Sequence, residues 1–220
     1  MLRHKVLSVG LSLAACFTAA PAFAGEGGDP YPLDSCVLSG KKLASVETPV
    51  VVNHDGREIK LCCNNCKGKF EEDPAAVLSK VDAAIVEQQK AHYPVDTCVV
   101  SGDKLGGHGE VVEYVYNNRL IRLCCADCEG AIKKDPAAVI SKLDAAVVEK
   151  QKDAYALTKC PVSGQDLGSM GEPKNVVVAN QLIKLCCGGC EKQIQKNPAK
   201  FLAMVSGGGA AESKAERKKE

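Results

Sequence analysis

Twelve of the 13 cysteines in this chain of 220 residues form three sets of four, and each set repeats the previous one after 62 residues. A four-thiol pattern repeated so strictly indicates that the cysteines are metal ligands or form disulfide bridges. Packing alone would not require cysteine, because a packed core accepts Val or Ala in its place. Soft thiolates bind Zn(II), Cu(I) and heavier thiophilic ions, so the pattern predicts about one Zn(II) or Cu(I) per repeat. The candidate metal ligands are Cys36, Cys62, Cys63, Cys66, Cys98, Cys124, Cys125, Cys128, Cys160, Cys186, Cys187 and Cys190.

The same thiols allow two other kinds of chemistry. Small cysteine-dense domains outside the cytoplasm usually contain disulfide bridges, and four cysteines allow three different pairings in each repeat. The obvious pairing, Cys36 with Cys66, leaves the neighbours Cys62 and Cys63, whose bridge is strained. Cys63-Asn64-Asn65-Cys66 at a helix start can activate a thiol, although the thioredoxin context of alternating strands and helices is missing. A disulfide-stapled interaction scaffold and a thiol–disulfide oxidoreductase therefore stay open as alternatives.

Each repeat predicts the same elements around its thiols. A short Cys-x-x-Ser-Gly knuckle comes first, and a β-hairpin follows whose second strand ends at the paired cysteines. The predicted strand pairs are 50–52 with 58–61, 111–116 with 119–123, and 176–178 with 181–185. Gly56, Asn118 and Asn180 hold equivalent turn positions, and these residue types accept a left-handed backbone, so we expect φ > 0 there.

Two helices complete each repeat. The first begins at the cysteines, and Phe70, Ile132 and Ile194 lie one turn further on, where they should point inward. The second begins at an Asp or Asn N-cap followed by Pro, at Asp73-Pro74, Asp135-Pro136 and Asn197-Pro198. Val77, Leu78, Val81 and Ile85 are its predicted apolar stripe in the first repeat. In the first two repeats this helix continues as a connector.

These elements predict an α+β chain, a tandem array of three small units joined by helical connectors. The predicted units are 31–92, 93–154 and 155–206, followed by a Gly-rich and then Lys/Glu-rich tail, 207–220, of disordered composition. The chain has no Trp and only 4% aromatic residues, so a unit of this size buries little core. Such domains need a metal or disulfides to hold together.

Residues 1–24 have the pattern of an export signal. A basic start is followed by a mostly apolar stretch, 6–17, and by Ala22-Phe23-Ala24, which predicts cleavage before Gly25. The predicted location is periplasmic or secreted. Leu13-Ala14-Ala15-Cys16 also matches a lipobox, so a lipoprotein anchored through Cys16 is the alternative. No other stretch is long and apolar enough to span a membrane.

Charge and residue patterns exclude several function classes. The formal charge of +1 falls to about −1 when Arg3 and Lys5 leave with the signal, which argues against nucleic acid as a partner. The histidines at 54, 92 and 108 do not recur between repeats, so we expect surface positions for them. No Ser/His/Asp set, carboxylate pair or phosphate loop recurs either. The sequence thus predicts a binding protein rather than an enzyme, and it names no protein partner.

The segment 61–74, LCCNNCKGKFEEDP, resembles the YHS/TRASH-type metal-binding domain. That family pairs a knuckle cysteine with a Cys-x-x-x-Cys at a strand end, followed by a Phe and an Asp-Pro step. Cys160-Pro161-Val162-Ser163-Gly164 is similar to its Cys-Pro-x-x-Gly knuckle. The resemblance covers all three units, and it implies a treble-clef-like fold and heavy-metal handling. By position, it implies the metal-site cysteines Cys36, Cys62, Cys66, Cys98, Cys124, Cys128, Cys160, Cys186 and Cys190.

This chain departs from that family at two positions in every repeat. Many members carry a second knuckle cysteine, where this chain has Ser39, Ser101 and Ser163. Cys63, Cys125 and Cys187 stand where the family usually has Ser or another small residue. The thiol count per unit stays at four, which suggests the hypothesis that the extra thiol replaces the missing knuckle thiol as a fourth ligand.

Overall fold

The computed structural model describes residues 28–207, so the predicted signal, Cys16 and nearly all of the predicted tail lie outside it. Within that range the predicted α+β class and tandem arrangement are confirmed. Each unit is a two-stranded antiparallel hairpin followed by two helices. The elements are β1 Val50–His54, β2 Arg57–Leu61, α1 Asn64–Glu72, α2 Pro74–Lys90, β3 Val112–Tyr116, β4 Arg119–Leu123, α3 Glu129–Lys134, α4 Pro136–Gln151, β5 Lys174–Val178, β6 Gln181–Leu185, α5 Glu191–Lys196 and α6 Pro198–Ser206.

The three hairpins close through two-residue turns of the same geometry. Positive φ is confirmed at Gly56 (80°), Asn118 (70°) and Asn180 (59°). The preceding turn residue is also left-handed in each hairpin, and in the third it is Ala179, with φ 50°. Two left-handed residues in a row define the turn that matches the right-handed twist of paired strands. The strands therefore stay in register as far as the cysteines that follow them.

The helix signals are confirmed with one exception. Phe70, Ile132 and Ile194 are buried, as predicted. The carboxylates of Asp73 and Asp135 each accept a hydrogen bond from the N–H three residues on, at 3.0 Å. Asn197 occupies the equivalent N-cap position, but its side chain makes no capping hydrogen bond. The third helix start therefore depends on Pro198, whose fixed φ suits the first helical position.

The long helices belong to two units at once. In α2 the buried face is Val77, Val81, Ile85 and Gln89, at a strict spacing of four residues. Leu78 is partly buried and packs against the core of the first unit, so the predicted stripe is confirmed, and Gln89 extends it. In α4 the early residues pack into the core of the second unit, whereas Val147 packs on the hairpin of the third. Successive units thus share a helix, while the exact limits of the units stay a prediction.

A polar joint recurs where each long helix ends. The Gln89 amide nitrogen donates to the carbonyl oxygen of Asn118 at 2.8 Å, and its oxygen accepts the N–H of Leu120 at 2.8 Å. Gln151 makes the same pair of bonds to the third hairpin, at 2.9 and 2.8 Å. Each glutamine satisfies backbone groups of the next hairpin turn, so it sets the position of one unit on the next.

A buried ionic network links the second and third units. Arg119 is 1% exposed, and its guanidinium donates to Asp29 at 2.6 and 3.0 Å and to Asp144 at 2.8 Å. Asp29 also accepts the N–H of Ala179 at 3.0 Å, which supports the left-handed turn there. Burial raises the pKa of Asp144 to about 6, although Arg119 opposes the rise. Asp29, near the start of the described chain, therefore connects both units.

Among residues 28–207, no helix has both the length and the apolar character needed to cross a membrane.

Candidate metal centre

The knuckle directs the first cysteine of each unit inward. In the first unit the N–H of Cys36 donates to the carbonyl of Lys41 at 2.9 Å, and the N–H of Gly40 donates back to Cys36 at 2.8 Å. Gly40 has φ 71°, a conformation that glycine adopts without strain, so the turn closes tightly. The same bonds recur around Cys98 and Cys160. All three knuckle cysteines are at most 1% exposed.

The remaining thiols lie where a strand becomes a helix. Cys62 directly follows β2, and Cys66 lies in the first turn of α1. Between them, Cys63 is the N-cap residue, with an extended backbone at φ −165°. The switch from strand to helix at this residue lets two neighbouring side chains approach each other, so Cys62 and Cys63 have their sulfurs 3.6 Å apart. A continuous strand would have sent them to opposite faces.

Three sulfurs from three separate elements converge in every unit. In each triad all Sγ atoms lie within 4.8 Å of one another. Cys62 and Cys66 are 3.6 Å apart, and the equivalent pairs are 3.8 and 3.9 Å apart. A tetrahedral ion with bonds of about 2.3 Å to sulfur needs sulfurs about 3.8 Å apart. The triads are Cys36, Cys62 and Cys66; Cys98, Cys124 and Cys128; and Cys160, Cys186 and Cys190.

The fourth thiol of each unit lies at the margin of its triad. Cys125 is 3.8 Å from Cys124 and 3.9 Å from Cys128, and Cys187 is 3.9 Å from Cys186. Cys63 is exposed, whereas Cys125 and Cys187 are partly buried. The predicted site residues therefore come together as three inner thiols and one outer thiol. Whether the outer thiol is a ligand stays a prediction.

The knuckle serine contacts the centre in every unit. Ser39 Oγ lies 3.2 Å from Cys62 Sγ, and Ser101 and Ser163 lie 3.3 and 3.2 Å from their equivalent sulfurs. Each serine oxygen also accepts a backbone N–H two residues on, at 3.3 Å. Its own hydrogen is thus free to point at sulfur and stabilise a thiolate. The sequence showed these serines only as missing cysteines, although their recurrence in every knuckle signals a shared role.

Hydrogen bonding and burial give the knuckle thiols a lower pKa than the thiols at the helix starts. Burial raises the pKa of Cys36, but hydrogen bonds from the Cys62 backbone and from Ser39 outweigh it and lower the pKa to about 7. Similar bonds lower the pKa of Cys98 to about 7 and of Cys160 to about 6. The helix thiols behave in the opposite way, because burial, with added contributions from neighbouring thiols, raises the pKa of Cys66, Cys128 and Cys190 to about 12.

Histidines stand apart from the centres. The His54 ring packs edge-on against Phe70, with centroids 5.5 Å apart. His108 lies on the surface, 3.7 Å from an Asp103 carboxylate oxygen. In the described part of the chain, each of the three groups that can hold a metal ion consists of cysteine alone.

The repeated hairpin-and-helix unit and its cysteine triad define an array of three cysteine centres, each able to hold a metal ion. No family model matches the chain, and neither a curated protein nor a solved structure matches it. The case for metal therefore depends on the geometry of the triads.

Proposed function

We propose that the protein binds one thiophilic metal ion, Zn(II) or Cu(I), in each of its three cysteine centres, and sequesters or delivers these ions without catalysing a reaction. The convergence of three sulfurs from the knuckle, the strand end and the helix start carries the proposal, because it recurs in every unit at separations that suit a metal ion. The resemblance to the YHS/TRASH-type domain, in three tandem copies, supports the same conclusion.

Metal binding would also stabilise the fold of each unit. The sulfurs in contact are 3.6 to 3.9 Å apart, far from the bond length of about 2.05 Å in a disulfide, and the twelve cysteines of the described range are free. Each unit has a small core in which cysteines are among the buried residues. A shared ion would therefore tie together the three elements of a unit.

Titration of the reduced, metal-free chain tests this function. We expect three ions to bind per chain, with proton release. At pH 7.5 the thiols of Cys66, Cys128 and Cys190 are protonated, because their pKa is about 12, so each must lose its proton to bind. Affinity should therefore fall as the pH is lowered through 7, where the knuckle thiolates also become protonated. Calorimetry in buffers of different ionisation enthalpy measures the number of ions bound per chain and the number of protons released per ion. Binding without proton release would contradict the proposal.

A thiol–disulfide oxidoreductase is a second candidate, favoured by one observation. A hydrogen bond from the Cys66 backbone lowers the pKa of the exposed Cys63 thiol, and Cys187 is affected similarly by the Gly189 backbone. An accessible thiol of low pKa is the usual nucleophile in disulfide exchange. The test is insulin reduction by the metal-free chain. Activity that disappears in Cys63→Ser, Cys125→Ser and Cys187→Ser together would favour this candidate, whereas metal binding predicts none.

We further propose that the protein acts outside the cytoplasm, after removal of residues 1–24. The support is the basic, apolar and small-residue order of that segment. Cell fractionation and the intact mass of the mature protein test this, with Gly25 expected as the first residue. A mass that starts at a lipid-modified Cys16 would establish the lipoprotein alternative, and an uncleaved cytoplasmic chain would contradict export.

A further inference from the structure

In each unit the sulfurs form a ladder, a series of contacts that leads from the outer thiol to the buried knuckle thiol, and in the second unit the outer Cys125 contacts both Cys124 and Cys128. In the third unit Cys187, Cys186, Cys190 and Cys160 follow one another with sulfurs 3.9 Å apart at every step. The outer Cys187 is partly buried, whereas the other three thiols are at most 8% exposed, and the knuckle Cys160 is the least exposed at 1%. Every step equals the distance between two sulfurs on one metal ion, about 3.8 Å for bonds of about 2.3 Å.

The first unit repeats this order with a more open outer end. Cys63 is exposed and Cys62 partly buried, while Cys66 and Cys36 are 6% and 0% exposed. The first two steps of the ladder are both 3.6 Å. Two small or polar exposed residues follow the outer thiol in every unit. These pairs are Asn64-Asn65, Ala126-Asp127 and Gly188-Gly189.

We infer that Cys63, Cys125 and Cys187 are exchange ligands, through which a metal ion enters and leaves the inner triads. This inference rests on the proposed metal-binding function, and it replaces the hypothesis of a permanent fourth ligand. The outer thiol is the most exposed of the four in every unit, so it is the first to meet a small thiol or a donor protein that presents the ion. The buried knuckle thiol is the last to be reached, so it closes the triad around an ion that has already moved inward.

The exchange is a substitution of ligands without a change in oxidation state. The outer sulfur forms a bond to the ion as one bond to the donor breaks, and the outer thiol's proton passes to the departing donor. The strand-end sulfur and then the sulfur at the helix start displace further donor ligands in the same way, and each thiol proton passes to a departing donor. In the last step the bond to the outer sulfur breaks as the bond to the knuckle sulfur forms, and the proton of the knuckle thiol passes to the outer sulfur. Release follows the same steps in reverse.

A ligand that acts only during exchange changes rates without changing affinity. The test is the full-length variant with Cys63→Ser, Cys125→Ser and Cys187→Ser, reduced and without oxygen, loaded from the coloured bicinchoninate complex of Cu(I). We expect loading, and release back to the chelator, to slow by at least about tenfold, whereas the affinity changes by less than about threefold. The matched control carries Asn64→Ser, Ala126→Ser and Gly188→Ser, which alters the neighbouring exposed residues and should exchange at the wild-type rate.

Three results would overturn the inference, and they differ from one another. Unchanged rates of loading and release would show that the outer thiols take no part in metal exchange. A large loss of affinity with a matching rise in release rate alone would make them permanent ligands. A wild-type chain that takes no copper from the complex would remove the proposed function itself, together with the exchange role.

Discussion

Replacing Cys98 with serine should reduce the capacity of the chain from three ions to two. Cys98 is the knuckle sulfur of the second triad and is 1% exposed, so its replacement removes the most buried of the three sulfurs. Loss of a residue that merely orients a ligand costs about 10- to 100-fold in metal affinity, so loss of a ligand should cost more than about 100-fold in this unit. Calorimetric titration of the reduced variant counts the ions directly.

The neighbouring knuckle residue offers the matched control. Ser101→Ala leaves all three sulfurs of the second triad in place and removes only the hydroxyl that lies 3.3 Å from Cys124 Sγ. This variant should still bind three ions, with a loss of about 10-fold or less in one of them. Three ions of wild-type affinity in the Cys98→Ser chain would show that the triad is not the binding unit.

Replacing Arg119 with methionine should lower the free energy of unfolding by about 3–5 kcal/mol, because it leaves buried carboxylates without their cation. Arg119 contacts both Asp29 and Asp144, and the Asp144 side chain is only 13% exposed. Urea titration of the full chain measures the loss. It should shrink as the pH falls from 7 to 5, since burial already raises the pKa of Asp144 to about 6 and protonation removes the unpaired charge.

Arg57 is the matched control, because it occupies the equivalent position in the first hairpin. It pairs with Asp82 at 2.6 Å, but the Asp82 side chain is 41% exposed and can be hydrated when the arginine is lost. Arg57→Met should therefore cost less than Arg119→Met, by an amount on the order of 2 kcal/mol. Equal losses at the two positions would contradict the claim that burial of the carboxylates around Arg119 sets the size of the effect.

Local signals predicted most of the fold. Turns and helix starts depend on contacts between residues at most four positions apart, so their roles could be inferred from spacing alone. This holds for the Asp-Pro helix starts and for the turn residues Gly56, Asn118 and Asn180. The cysteine pattern likewise indicated which sulfurs converge, because the knuckle and the strand end recur together. Asn197 shows the limit of such inference, since the right residue at the right position makes no capping bond.

The contacts between units could not be predicted in the same way. Gln89 and Gln151 recur with the repeat, but nothing in their own neighbourhood indicates that they bind the next hairpin. The Asp29–Arg119 pair joins residues 90 positions apart and has no counterpart of the same kind at Gln181, the equivalent position in the third hairpin. The position of the outer thiol depends on the backbone of Cys63, which is still extended although the next residue begins the helix. Nothing in the spacing of the cysteines indicates where the strand gives way to the helix.

Native mass spectrometry of the protein isolated from its own cells tests whether the three triads hold metal. We expect a mass that exceeds that of the reduced chain by three Zn(II) or Cu(I) ions, and that falls to the mass of the reduced, metal-free chain when the solution is acidified. A metal-free mass with the twelve mature cysteines joined in six internal disulfides would contradict it and establish a stapled scaffold instead.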